Sequence, residues 1–220
     1  MKREIIKTLD GSVTIHLPEM NESYHSKFGA IQEAYHVFIQ NGLALFQGRP
    51  ISILEIGFGT GLNSFITYME SLKSNHHVNY VGVEAYPVAM EEVAQLNYVS
   101  QLQAETEMEK FTLMHSANWG EAIDISNNFT LTKRKQFFSE IDDVSSFDLI
   151  YFDAFGYPAQ PELWSAEIFA KMRNALRKDG VLVTYACRTV IRKAMIEAGF
   201  ETEKLPGPPG KREMLRGKFL

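Results

Sequence analysis

One cysteine in 220 residues, Cys187, leaves no partner for an intrachain disulfide and is compatible with a reducing compartment. Its place in an apolar run favours packing over reactivity. No apolar stretch approaches membrane-spanning length, and the opening MKREIIKTLDGS carries basic residues without a sustained hydrophobic run. The expectation is a soluble, cytoplasmic protein with no membrane partner. Internal repeats and low-complexity tracts are also missing. Positive charge is not in excess: 22 Lys and Arg against 27 Asp and Glu give −5, which argues against a general polyanion binder. His76-His77 and the scattered His16, His25, His36 and His115 lack ligand spacing, so no metal is expected.

What is present begins with hydrophobic content, 45%, ample for the core of one α/β folding unit. The organising stretch is Ile51 to Asn63, ISILEIGFGTGLN. Ile51, Ile53, Leu54 and Ile56 suit a strand buried on both faces of a parallel sheet. Gly57, Gly59 and Gly61 then let the backbone turn tightly and bring amide groups against a ligand at the start of a helix near Leu62. The spacing Glu55-x-Gly57-x-Gly59-x-Gly61 is tighter than the dinucleotide fingerprint and lacks the Lys-Ser/Thr of a phosphate loop. It is closer to a cradle for a nucleoside joined to an amino acid. A second strand, Val78 to Val83, ends in Glu84, where a carboxylate can accept hydrogen bonds from both ribose hydroxyls.

Before this stretch, alternation from Glu4 to Leu17 around Asp10-Gly11 predicts a small antiparallel ribbon. Tyr24, His25, Ser26 and Glu33 lie where they can roof a ligand site; for His25 a satisfied core or surface position competes with catalysis. After it, Val88 to Leu102 reads as one helix and Phe111 to Met114 as a third strand. Asn118 and Trp119 would follow that strand and either clasp a purine or simply pack. Phe129 to Phe138, with Lys133-Arg134-Lys135, reads as an excursion or hairpin outside the core. Phe147 to Asp153 is the fourth core strand and delivers Asp153 at its carboxyl end, where open α/β sheets hold ligands. A helix capped by Ser165 runs to Lys178 and stops at Asp179-Gly180; Val181 to Ala186 is the fifth strand. A helix from Thr189 to Ala198 and two closing strands, about Phe200 to Leu205 and Arg212 to Arg216, complete the chain. From Arg188 onward eight Lys and Arg face four Glu, a basic end of +4 on a body of −9. That end is either a solvated surface or a contact face for a phosphate backbone.

Together, Glu55 to Asn63, Glu84 to Pro87, Phe152-Asp-Ala-Phe155 with Pro158, Pro161 to Ser165, and Gly210-Lys-Arg-Glu-Met-Leu-Arg-Gly217 resemble the methyltransferase domain of the MnmC/MnmD type, from about Tyr24 to Gly217. The resemblance implies a Rossmann-like class I methyltransferase fold: a seven-stranded, mostly parallel sheet with a closing antiparallel pair, here with an N-terminal extension over 1–45 and the main domain over 46–220 in one folding unit. It implies S-adenosyl-L-methionine as cofactor and, as reaction, N-methylation of the 5-aminomethyl group of a wobble (2-thio)uridine in tRNA. Bifunctional members carry a flavin-dependent oxidase domain; this chain ends at Leu220 without one, so only the methyl-transfer half is implied, with a separate enzyme supplying the aminomethyl group.

On this reading Asp153 is catalytic, holding the amine, with either Asp153 or water taking its proton. The cofactor would be bounded by Glu55, Gly57, Phe58, Gly59, Gly61, Asn63, Glu84, Ala85, Asn118 and Trp119. Tyr24, Phe155, Tyr157 and Pro158 would face an extruded base, with Lys211 and Arg212 on phosphates of the tRNA anticodon stem-loop. Alternatives are a small-molecule N- or O-methyltransferase and an inactive cofactor-binding partner subunit. A nicotinamide oxidoreductase is disfavoured by the glycine spacing and the closing strand pair.

Overall fold

Three short antiparallel strands open the chain, β1 (Glu4–Lys7), β2 (Val13–Leu17) and β3 (Glu22–Ser23), in a computed structural model that describes residues 2–74 and 77–220. His76 lies outside the described residues. The turn at Asp10-Gly11 pairs Lys7 with Val13 and Glu4 with His16, and β3 adds to β2. Helix α1 (Ala30–Ala34) continues as a π-helical turn through Gln40. The main unit then alternates: β4 (Ile51–Ile56), α2 (Leu62–Ser74), β5 (Val78–Val83), α3 (Met90–Val93), α4 (Tyr98–Gln101), α5 (Met108–Ser116), β6 (Ala122–Ser126), β7 (Phe129–Arg134), β8 (Phe147–Phe152), α6 (Ala166–Ala175), β9 (Leu176–Thr184), α7 (Thr189–Glu197), β10 (Glu201–Pro206) and β11 (Glu213–Lys218).

The main sheet has eight strands in the order β10-β11-β9-β8-β4-β5-β7-β6. β9, β8, β4, β5 and β7 are parallel; β11 and β10 close one side antiparallel, as expected, and β6 runs antiparallel along the other edge. Successive residues of β4 serve opposite layers. Ile53 packs with Phe38, Phe65 and Tyr151, while Leu54 and Ile56 pack with Phe152, Trp164 and Phe169. Both faces of the central strands are therefore dry, which explains their near-continuous apolar sequence.

Five expectations need correction. The sheet has eight strands rather than seven. Its third parallel core strand is β7, whose Phe129, Leu131 and Lys133 turn inward, so Phe129 to Arg134 is not an excursion. Phe111 to Met114 lies in α5: Phe111 and Met114 are buried three residues apart on one helical stripe, with Thr112 and Leu113 outward. The α6 helix starts on the expected Ser165 cap, whose Oγ accepts from the Ile168 amide at 3.3 Å, but ends at Ala175. β9 starts at once, and Asp179 and Gly180 fall at an irregularity in its pairing with β8.

The Val88 to Leu102 helix is likewise two short helices, and Asn97 occupies the break. Its Oδ1 accepts from the Val13 amide at 2.9 Å and its Nδ2 donates to the Gly11 carbonyl at 3.0 Å. One side chain thereby ties the N-terminal turn to the main unit. Asn97→Ala should lower stability by about 1–3 kcal/mol, because the half-buried Val13 amide and Gly11 carbonyl lose their partner; urea unfolding of the two proteins measures it.

Candidate functional site

The loop after β4 is shaped by backbone geometry that side chains would obstruct. Gly57, Gly59 and Gly61 have φ of 90°, 49° and 70°, in the left-handed region. A Cβ on Gly57 would stand 2.6 Å from the Asp153 carbonyl oxygen, and one on Gly59 would stand 2.9 Å from the Tyr24 ring. The loop must run this close because β4 and β8 are parallel neighbours, with Ile56 paired to Phe152 and the Asp153 amide donating to the Ile56 carbonyl at 2.9 Å. β4 has β5 on one side and β8 on the other, so the crevice opens at the switch point of the sheet.

A cavity of about 600 Å³ fills that crevice, within the range of small-molecule sites. Gly57, Phe58, Gly59 and Asn63 line one wall, with Glu84 and Ala85 from the end of β5. The Glu84 carboxylate accepts from the Gly59 amide at 3.1 Å and the Tyr86 amide at 2.9 Å. Asp153, Tyr24 and Phe155 also line it. A second cavity, of about 630 Å³, contains Tyr157, Pro158, Lys211 and Arg212 and shares Tyr24, His25, Ala154 and Phe155 with the first. The Tyr24 and Phe155 rings meet edge to face on this seam, with centroids 5.1 Å apart.

Four expected cofactor residues lie elsewhere. Glu55 is buried behind the loop, where its Oε1 accepts from Asn63 Nδ2 at 2.9 Å while Oε2 has no partner at hydrogen-bond distance among the described residues. Burial raises its pKa well above the ordinary carboxylate value. Gly61 is spent on helix packing: a Cβ there would meet His115 Nε2 at 2.8 Å. Asn118 is exposed and donates to Glu121, and Trp119 packs edge-on against Phe58 while its face receives the Lys133 ammonium at 4.9 Å. Neither lines the cavity, because the segment before them is a helix rather than a strand ending at the crevice.

The place expected for Asn118 and Trp119 is held by Phe137, Phe138 and Ser139, which follow β7. The sequence signal for them is the aromatic pair at the end of an alternating segment, which a reading of Phe129 to Phe138 as an excursion conceals. The basic pair separates too. Arg212 is exposed, whereas the Lys211 ammonium is ion-paired with the buried carboxylate of Glu33 and lies 4.2 Å from the Tyr185 ring centroid. Lys211 is therefore committed to an internal partner.

Asp153 is the chemically distinctive group. Asn63 Nδ2, already bonded to Glu55, also donates to Asp153 Oδ2 at 2.9 Å. Burial, then the nearby negative charge of Glu33, raises the Asp153 pKa to about 7, against the opposing Asn63 hydrogen bond and Lys211 charge. A carboxyl poised there can exchange a proton near neutrality. His25 is held differently. Burial lowers it to about 4, and it is pinned through Nδ1 to Thr14 Oγ1 at 3.1 Å, so it is a neutral post between the N-terminal sheet and the glycine loop.

Gly57→Ala should remove small-molecule binding in the first cavity and cost about 1–3 kcal/mol or more, since positive φ and contact with the Asp153 carbonyl act together. Calorimetric titration with S-adenosylhomocysteine and thermal unfolding would measure the two effects.

A family profile described as S-adenosyl-L-methionine-dependent methyltransferase matches residues 96–219. Among curated relatives, the tRNA 5-methylaminomethyl-2-thiouridine biosynthesis bifunctional protein MnmC of Leptospira borgpetersenii is 28% identical over 216 residues, covering 90% of this chain and 32% of the relative. The protein of that name from Aromatoleum aromaticum is 32% identical over 208 residues, 89% of this chain and 32% of the relative. The chain spans about a third of the length of the curated relatives it matches. Of solved structures, MNMC2 from Aquifex aeolicus has a TM-score of 0.80 at 22% identity, covering 100% of this chain and 70% of that one. Spermidine synthase from Thermotoga maritima has a TM-score of 0.59 at 14% identity, covering 99% and 68%. These two likenesses concern the fold. Because the matched profile takes in more than half of the chain, the protein belongs to the S-adenosyl-L-methionine-dependent methyltransferase family.

Proposed function

We propose that this protein methylates the 5-aminomethyl group of a wobble (2-thio)uridine in tRNA, with the first cavity holding S-adenosyl-L-methionine and the second admitting the base. The observation that carries this reading is a carboxyl, Asp153, raised to about 7 in the wall of a cofactor-sized cavity, beside a second cavity that shares its aromatic seam. The MnmC relatives, named for 5-methylaminomethyl-2-thiouridine biosynthesis, support the choice of substrate.

The residues present fit the cofactor. The glycine cradle has no room for side chains, and the Glu84 carboxylate can turn its acceptors from loop amides to ribose hydroxyls. Phe137, Phe138 and Ser139 offer apolar faces and one hydroxyl for an adenine. When bound, the cofactor supplies an electrophilic methyl on a sulfonium. Asp153 orients the acceptor amine by hydrogen bonding to N–H, and Asn63 fixes the carboxylate. An amine attacks only as the neutral form, so one proton must leave the ammonium before attack, and the methylated product departs as its own ammonium while the thioether leaves with the electron pair of the broken C–S bond. Asp153, or water beside it, takes that proton. Tyr24 and Phe155 close the seam against bulk water. Exposed Arg212, with other cations of the basic C-terminal region, would meet tRNA phosphates in place of Lys211. A separate enzyme would provide the aminomethyl precursor, in the cytoplasm.

The test is transfer of labelled methyl to bulk tRNA from cells lacking this gene, followed by nucleoside analysis. Label in 5-methylaminomethyl uridine is expected; label on small amines alone would overturn the tRNA reading. Asp153→Ala should lower kcat/KM about 10²–10⁴-fold and leave S-adenosylhomocysteine binding largely intact. For the wild type, kcat should rise with pH through about 7 as the Asp153 carboxylate forms, a limb that Asp153→Ala would lack.

A further inference from the structure

The Lys211 ammonium reaches back from the β10–β11 loop to Glu33 of α1, 178 positions earlier, and closes an ion pair in the wall of the second cavity. Glu33 is also bonded on its other oxygen, where Oε1 accepts from the Ser26 amide at 3.0 Å. Ser26 is two residues beyond Tyr24, the seam aromatic. Lys211 lies over Tyr185, 4.2 Å from its ring centroid, and the Tyr185 hydroxyl donates to the Ala154 carbonyl at 2.9 Å. Ala154 directly follows Asp153. The pair is thus tied by one oxygen to the roof of the acceptor cavity and through Tyr185 to the strand end that carries Asp153.

A buried ion pair contributes little net stability against a well-packed apolar pair. Its presence beside the reactive carboxyl calls for another account. Neither member takes part in the chemistry described above.

We propose that Glu33 and Lys211 are a positioning pair, which joins the two ends of the chain around Asp153 and balances its charge for taking the proton of an acceptor amine. The inference rests on the reading of Asp153 as the group that meets the amine. The other groups around Asp153 are Asn63 from α2, Glu55 from the adjacent β4, Tyr80 from β5 beyond it, and Tyr185 just past the end of β9. Tyr80 and Tyr185 are held protonated by burial, and Glu55 is held toward its neutral form by burial. Among the described residues, Glu33 and Lys211 are the ion-paired groups that act on Asp153 with opposite sign. Glu33 favours the protonated Asp153 and Lys211 the ionised one, so the acid limb depends on both being present.

The experiment is carbon-13 titration of the Asp153 carboxyl in the full chain, assigned with Asp153→Asn, in Glu33→Gln, Lys211→Met and the double variant. Glu33→Gln keeps an oxygen for Ser26 and should lower the Asp153 midpoint by about 0.5–1 pH unit. Lys211→Met should raise the Asp153 midpoint, because the cation that favours its ionised form is gone. The double variant should return toward wild type. The pH limb of methyl transfer should move in the same order, and Lys211→Arg should restore it. Midpoints that stay fixed, or that all move one way, would overturn the proposal. If a single variant unfolds, the double variant, which leaves no unpaired charge, still reports: a midpoint within error of wild type is required. Because the titration needs no tRNA, midpoints that shift as expected without any methyl reaching tRNA would sink the substrate assignment and leave the pair standing.

Discussion

The site depends on a contact between two backbones. β4 and β8 run parallel as neighbours, and the chain leaving β4 must pass the chain leaving β8 at the distance set by their ladder. At Gly57 that distance leaves no space for a Cβ, because the Asp153 carbonyl is already there. The glycine loop and the carboxyl are therefore not two features that happen to meet. One parallel pairing delivers both, and Asn63, at the start of the next helix, bonds across the gap to Asp153. The positive φ at Gly57 is the backbone conformation this crossing requires.

The ends of the chain then enclose what the sheet opens. Arg3, just before β1, donates to the Tyr86 and Pro87 carbonyls and pairs with Glu92 at 2.8 Å, fixing the N-terminal sheet to the loop after β5. Tyr24 is thereby set against Gly59, the one loop position where its ring replaces a side chain. At the other end the β10–β11 hairpin brings Lys211 to Glu33. Neither end contributes a strand to the parallel core. Both contribute walls to the cavities.

The legible part of the sequence was the part governed by local rules. A doubly buried strand followed by three spaced glycines, a carboxylate at the next strand end, an aspartate at the fourth, and a basic hairpin are readable because each follows from backbone sterics or strand period alone. β7 failed those rules because its buried row, Phe129, Leu131 and Lys133, includes a lysine. A period-2 pattern with a charge on the inner face reads as a surface ribbon. The consequence extends further: reading the third strand at Phe111–Met114 points to Asn118 and Trp119 for the cavity wall, whereas Phe137 to Ser139 line it. The Glu33–Lys211 pair was invisible for a different reason, since its partners are 178 positions apart and no periodicity links them.

The buried Lys133 has a cause that also bears on the loop. Glu55 of β4, Gly82 of β5 and Lys133 of β7 stand in one cross-strand row and face the same layer. An acid and a base so placed would be expected to pair across the small residue between them. They do not, because the Phe58 ring of the glycine loop lies over Gly82 and fills the space its missing side chain leaves. Each charge finds a neutral partner instead. Glu55 takes the Asn63 amide, and the Lys133 ammonium donates to the His115 carbonyl at the end of α5, at 2.5 Å. Burial accordingly raises the pKa of the acid and lowers the lysine to about 8. Glycine at 82 is thus what lets Phe58 sink into the sheet, and a sunken Phe58 is what keeps the loop low enough to leave a cavity above it. What makes the buried lysine tolerable in the inward row of β7 is the His115 carbonyl together with the Trp119 ring, which the ammonium faces at 4.9 Å.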